Sequence, residues 1–183
     1  MSPIKKTIII LNGPPGCGKD YGAKFLCEKF GAKQLEFKKL LVELVKIFYN
    51  IQDSVWENLY VLKDSPAKDL GGLSPRQALI HVSEDLVKPV LGKDFFGKSL
   101  LQEIKSYSAP FFVASDGGFE EEIEPIRKDK NIRLVLVRIL AEGKNFDNDS
   151  RTYLKDPDYT IVNHYDDRFE NLLERLAKEV CLS

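Results

Sequence analysis

Residues 8–20, IIILNGPPGCGKD, join an apolar β-branched run to a glycine-rich loop and then to a helical pattern. Ile8 to Leu11 predicts a strand. The loop after it, Gly13 to Gly18, holds three glycines and is followed directly by Lys19 and Asp20. This is the layout of a Walker A phosphate-binding loop, with Asp20 where the motif usually carries Ser or Thr. Glycines let the backbone curl until successive N–H groups point at one anion. The helix that starts there adds its positive end at the same point. Lys19 is placed to reach the outer phosphates of a nucleotide. A carboxylate at position 20 repels a bare phosphate but suits Mg²⁺, a hard ion that takes oxygen ligands and keeps several waters. A plain strand–turn–helix junction requires neither the Lys nor the third glycine. Gly13, Pro14, Gly16, Cys17, Gly18, Lys19, Asp20 and Tyr21 are therefore read as nucleotide-binding.

The rest of the composition bounds the partners. The 183 residues suffice for one domain with a substantial core. The hydrophobic fraction of 43% and charged fraction of 30% are those of an ordinary globular chain. A net charge of −1 leaves no basic excess for a nucleic-acid polymer. The three cysteines, Cys17, Cys27 and Cys181, are odd in number and lack metal-ligand spacing, which points to a reducing, cytoplasmic setting. Cys17 lies inside the loop, where it is expected to act as a small space-filler rather than a reactive thiol. No apolar run approaches the roughly 20 residues of a membrane span. The short basic start, MSPIKK, leads straight into the phosphate loop, so it reads as the approach to a first strand rather than a signal peptide.

Elements follow from period and punctuation. Strands are expected at Lys6–Leu11, Gln34–Phe37, Phe111–Ala114, Ile132–Leu140 and Tyr159–Val162, and helices at Lys19–Phe30, with Gly31 as its stop, and at Lys38–Tyr49. A short helix and then a loop should fill 50–73. Ser74-Pro75 predicts a capped helix start, and that helix should run to Leu91 with Gly92 ending it. Further helices are expected at Lys93–Tyr107, Glu120–Lys128 and Asp166–Val180, the last with Phe169, Leu172, Leu173, Leu176 and Val180 on its apolar face. The acids Glu120 to Glu122 suit a helix N-terminus. Alternation of strands and helices implies a mostly parallel sheet with helices on both faces, an α/β/α P-loop NTPase architecture. Ligands then bind beyond the carboxyl ends of the strands. The polar stretch 141–157 reads as a small lid.

Asp116 ends an apolar strand, the Walker B position, where an acid orders the Mg²⁺ shell. Asp-Gly-Gly is also strong turn chemistry. Asp20 and Asp116 are the candidate metal residues. Phosphoryl transfer needs cations besides Lys19, because charge spreads over the oxygens of the transferring group. Arg138, near the end of a buried strand, and Arg151, in the polar stretch, are the candidates alongside Lys19 and Asp116. Arg127, Arg133, Arg168 and Arg175 read as surface charges. His81 and His164 lack metal-ligand spacing.

In order along the chain, these pieces resemble the phage-type deoxynucleoside monophosphate kinases, a branch of the P-loop nucleoside monophosphate kinase fold. The resemblance rests on GCGKD at 16–20, on FKKL at 37–40, on SPRQALIHVSEDLVKPVLGKDFF at 74–96, on FFVASD at 111–116 and on DYTIVNHYD at 158–166. It implies a single kinase domain over 1–183, with an acceptor-binding helical region at about 38–107 and a lid at about 141–157. It implies transfer of the γ-phosphoryl of ATP, with Mg²⁺, to a deoxynucleoside monophosphate by a monomer or homodimer, in the host cytoplasm if phage-encoded. By position, Lys39, Arg76 and Lys88 face the monophosphate, Asn163 lies near the adenine, and Arg138 and Arg151 close on the phosphates. The family usually has a basic residue two positions after the strand-end acid, and here that position is Gly118. Phosphomevalonate kinase of the animal type shares the layout and the GKD ending, and dephospho-coenzyme A kinase is a more distant rival. Tyr49, Trp56, Tyr60 and Phe96 suit a nucleobase acceptor or a core. A nucleotide-binding protein without turnover is the alternative outside enzymes.

Overall fold

Strand β1 (Lys6–Asn12) sends Ile8 and Ile10 to one side of a sheet and Ile9 and Leu11 to the other, and all four are fully buried. That two-sided burial is the mark of a central strand in a parallel sheet. The computed structural model of the protein describes residues 5–147 and 149–182, with side chains to Val180. The beginning of the basic stretch, residues 1–4, and the side chain of Cys181 lie outside them. The chain is organised as two compact units, residues 1–37 with 97–183, and residues 38–96.

In the larger unit, α1 (Lys19–Phe30) follows β1 and stops at Gly31, whose left-handed φ of 66° lets the N–H groups of Gly31 and Ala32 reach the carbonyls of Cys27 and Leu26. The edge strand β2 (Lys33–Gln34) is shorter than the predicted Gln34–Phe37. Leu35 still donates to Val113, but the Phe37 N–H goes to the Asp116 carboxylate, which takes the chain off the ladder. Strands β3 (Phe111–Ala114), β4 (Ile132–Ala141) and β5 (Tyr159–Asn163) complete an all-parallel sheet in the order β2-β3-β1-β4-β5. Ile10 stands beside Ala114 and Leu136, and Asn12 beside Arg138, so the strand ends are stepped: β1 runs past the end of β3, and β4 past the end of β1.

Helix α1 and the last helix (Asp167–Leu182) cover one face with Ala23, Leu26, Phe169, Leu173 and Leu176. Leu172, expected on that buried face, is 38% exposed and lies on its border. The other face is covered by the helices Phe95–Ser106 and Glu120–Lys128 through Leu100, Ile104, Ile123 and Ile126. Each such fully buried side chain stabilises the fold by about 1.5–3 kcal/mol. The two helices of this face approach closely, since a Cβ at Gly97 would overlap the Glu122 carbonyl. Lys6 closes the end of helix Phe95–Ser106 by donating to the carbonyls of Ile104, Lys105 and Tyr107.

The second unit contains α2 (Lys38–Phe48), α3 (Asp53–Val61), a 3₁₀ turn (Lys68–Leu70), α4 (Pro75–Ile80) and α5 (Lys88–Leu91). Val45, Trp56, Leu70, Ala78, Val82 and Phe96 form its core. Ser74 caps α4 in a reciprocal capping box with Gln77. The single helix predicted from 74 to 91 is not uniform: His81–Val87 is a π-helix, and the Lys88 N–H donates to the Ser83 carbonyl five residues back. Pro89 is the physical reason. Its ring clashes with the carbonyl four residues earlier in a regular α-helix, and the wider turn clears it. Among the described residues no helix is long and apolar enough to cross a membrane. In numbering that runs on, the helices Phe95–Ser106, Glu120–Lys128 and Asp167–Leu182 are α6, α7 and α8.

Candidate active site

The loop between β1 and α1 has the form its glycines predict. Gly16 and Gly18 take left-handed φ values of 74° and 96°. At Gly18 a Cβ would also collide with the Asn163 amide, so both conformation and space require glycine. The Gly22 N–H donates to the Gly18 carbonyl at 2.8 Å and opens the helix there. Lys19 is only 6% exposed, with its ammonium 3.4 Å from the Pro14 carbonyl and 4.0 Å from an Asp20 oxygen. A nearly buried ammonium in this setting is held by oxygens and is poised for an anion. Cys17 is fully buried, and burial pushes its thiol up from the ordinary value, as a space-filler requires. Tyr21 is 55% exposed and its hydroxyl is bonded to Glu170 of α8.

Asp20 leaves most of its side chain open to solvent, and one of its oxygens accepts from the Ser115 hydroxyl at 2.7 Å. Ser115 and Asp116 lie just past β3, the neighbour of β1. Asp116 has a structural duty as well, since its Oδ1 accepts from the Phe37 N–H at 3.0 Å. Hard carboxylate oxygens on Asp20, in the first turn of α1, and on Asp116, just past β3, are of the kind that would suit a Mg²⁺ that keeps several waters. Among the described residues no cluster of three or more His, Cys, Asp or Glu is arranged to cage a metal alone.

Arg151 joins this group from the polar stretch. Its Nε and one terminal nitrogen donate to the two oxygens of Asp149, at 2.9 and 2.6 Å, and Asp149 also accepts its backbone N–H. The Asp149 carboxylate, and beyond it Asp116 and Asp20, raise the Arg151 pKa further. The stem of Arg151 crosses Gly118 so closely that a Cβ there would stand 2.6 Å from its Cβ and Cγ. The space above position 118 thus belongs to a cation delivered from elsewhere in the chain.

The segment carrying Arg151 is tied down along part of its length. The buried Asn12 amide donates to the carbonyls of Gly117 and Thr152, and its oxygen accepts from the Leu154 N–H at 2.9 Å. Leu154 is fully buried in the core under the α6–α7 face, and Glu120 accepts from the Lys155 N–H. Arg138 donates to the Leu154 carbonyl at 2.7 Å and lies 5.2 Å from the Tyr153 ring, while its buried Nε has no hydrogen-bond partner. Arg138 therefore serves the strap that bears Arg151. Asn163 is 4% exposed, and both ends of its amide are used within the protein. Its nitrogen donates to the Cys17 carbonyl at 3.0 Å, and its oxygen accepts from the Tyr165 N–H at 2.7 Å. It holds the phosphate loop from behind.

The structure thus gathers Gly13 to Asp20, Asp116, Arg138, Arg151 and Asn163 in one unit. Lys39, Arg76 and Lys88 belong to the other. There, Lys39 lies exposed on α2. Arg76 donates to Asp64 at 2.6 Å and holds that carboxyl below its usual range, and Lys88 pairs with Glu84 at 2.7 Å. Trp56 and Phe96 are core residues, and Tyr60 stacks on Trp56. Sequence reasoning missed Asn12, Ser115 and Asp149. Each adjoins or nearly adjoins a residue that was singled out, and that adjacency is the signal that was present.

No family model matches the chain, and no curated protein does. Among solved structures, TT1252 from Thermus thermophilus aligns at a TM-score of 0.52 and 16% identity over 97% of this chain and 96% of that one. An uncharacterized protein from Eubacterium ventriosum aligns at 0.48 and 16%, covering 98% and 99%. Shikimate kinase from Acinetobacter baumannii, in complex with shikimate, aligns at 0.47 and 14%, covering 97% and 93%. At these identities the likeness is one of fold. Sheet order, loop and flanking helices define an α/β P-loop NTPase fold.

Proposed function

We propose that this chain is an ATP-dependent phosphotransferase that uses Mg²⁺ and transfers the γ-phosphoryl group to a deoxynucleoside 5′-monophosphate. The observation that carries the reading is the nearly buried Lys19 ammonium inside a loop whose Gly16 and Gly18 are left-handed. That arrangement is built for the phosphates of a nucleotide. In this reading Lys19 meets the outer phosphates, and Asp20 and Asp116 hold Mg²⁺ among them. Mg²⁺, when bound, neutralises charge on the phosphates. Arg151, already oriented by Asp149, faces the transferring group, and Arg138 fixes the strap that aims it. Fixed cations of this kind stabilise charge that develops in the transition state at no cost in reorganisation. Lys39, Arg76 and Lys88 are proposed for the acceptor's phosphate. The nucleotide acceptor is supported by the ordered motifs of the sequence, and a phosphorylated small molecule such as phosphomevalonate is the competing acceptor.

The test is a coupled ADP-release assay with ATP, Mg²⁺ and each of the four deoxynucleoside monophosphates, with phosphomevalonate alongside. Release that depends on one deoxynucleotide supports the proposal and names the base. Release with phosphomevalonate alone moves the acceptor to the competing class. ATP binding without acceptor-dependent release from any of the five contradicts the proposal.

A further inference from the structure

Gly16, at the tip of the phosphate loop, is approached by two side chains from separate segments. The Tyr165 hydroxyl donates to the Gly16 carbonyl at 2.7 Å, from a turn in which Tyr165 itself takes a left-handed φ of 59°. Together with the Asn163 amide on the Cys17 carbonyl, it fixes two successive peptide planes of the loop. A peptide's carbonyl and N–H point in opposite directions. Holding the carbonyls of Gly16 and Cys17 from one side therefore turns the N–H groups of Cys17 and Gly18 to the other, where that of Cys17 donates to the Pro14 carbonyl at 3.3 Å within the loop. Asn163 and Tyr165 are thus positioning residues for the cradle.

The second approach is by Lys144. It lies in the stretch after β4, and its chain runs across Gly16: a Cβ built there would be 3.4 Å from both Cε and Nζ of Lys144. Lys144 is exposed, and among the described residues its ammonium forms no ion pair. The neighbouring cations are engaged. Lys19 rests against the Pro14 carbonyl, Arg151 against Asp149 and Arg138 against the Leu154 carbonyl. An exposed cation at the tip of a phosphate loop, with no carboxylate partner among the described residues, has an anion as its natural counterpart.

We propose that Lys144 is a nucleotide-contacting residue, its ammonium binding the phosphate chain of a nucleotide seated in the loop. The proposal rests on the nucleotide-binding reading of that loop. It gives the polar stretch two separate cations. Arg151 is held on the anchored strap by Asp149, whereas Lys144 sits on the exposed part before it, with its chain across Gly16.

Calorimetric titration of Mg²⁺-ATP into wild type, Lys144→Ala and Lys144→Arg, at low and at high ionic strength, tests it. Lys144→Ala should weaken binding about tenfold at low ionic strength and clearly less at high, because salt screens the lost charge contact. Lys144→Arg should restore most of the affinity, and the melting temperature without ligand should be unchanged in both. Unaltered ATP affinity in Lys144→Ala overturns the proposal, as does a loss of equal size at both ionic strengths, which marks uncharged packing. A wild-type protein that itself binds no ATP overturns the nucleotide-binding reading and this role with it, an outcome distinct from failure in the variant alone.

Discussion

Lys19 and Arg151 illustrate two ways in which a cation is held ready. Lys19 is buried in its own loop, whereas Arg151 is clamped by Asp149 two residues before it. Lys19→Ala should therefore lower turnover by at least about a hundredfold, the scale of losing one fixed charge at a developing anion. Its circular dichroism spectrum should match the wild type, and wild-type turnover in this variant would remove Lys19 from the chemistry. Arg151→Ala should lower kcat more than it raises the acceptor KM, since a cation aimed at the transferring group acts mainly in the transition state. A change in KM alone would make Arg151 an acceptor-binding residue instead. At this scale the loop was legible because the whole phosphate cradle is written in eight consecutive residues, Gly13 to Asp20. Asp149, Ser115 and Tyr165 were not, because each acts on a residue distant in sequence or through a local turn that no period reveals. Asn163 was singled out, but its burial behind the loop depends on the register of β5 beside β4.

Among the elements, the strap at 149–154 departs most from its sequence. Its polar composition reads as a flap, and nothing local marks Leu154 as a core residue. The anchor is Asn12, the last residue of β1, whose amide makes three hydrogen bonds across the strand ends. Asn12→Ala leaves the buried backbone groups of Gly117 and Leu154, and the Thr152 carbonyl, without their partner. It should cost about 1–3 kcal/mol and lower the melting temperature by roughly 3–10 °C. It should also lower kcat, because Arg151 rides on the same strap, and loss of stability with full activity would separate the two. Strands β1, β3 and β4 were legible as apolar runs buried on both faces. The π-helical turn at 81–87 was not, because it answers a clash created by Pro89 downstream, and β2 was cut short by a carboxylate just past the end of β3.

For the whole molecule, the sheet's two covered faces explain stability, and the end of its central strand β1 carries the loop of the candidate site. Across one face, Glu174 of α8 links Lys178 on its own helix to Lys29 of α1. Lys178 and then Lys29 draw the Glu174 carboxyl down to about 2 from an ordinary 4.5. A carboxylate more acidic in the folded than in the unfolded chain stabilises the fold above pH 4.5, and that contribution is lost as pH falls towards 2. The pair is solvent-screened, so its share is modest. Glu174→Gln should flatten the acid limb of a plot of melting temperature against pH, and parallel curves would contradict the link. The central claim is that the loop and its cations carry a phosphoryl group to a phosphorylated acceptor. The most direct measurement follows the label of γ-labelled ATP with Mg²⁺ and a deoxynucleoside monophosphate. The account predicts label on the acceptor's 5′-phosphate with wild type and none with Lys19→Ala. Label released only as inorganic phosphate, or retained on ATP with every acceptor, would contradict it.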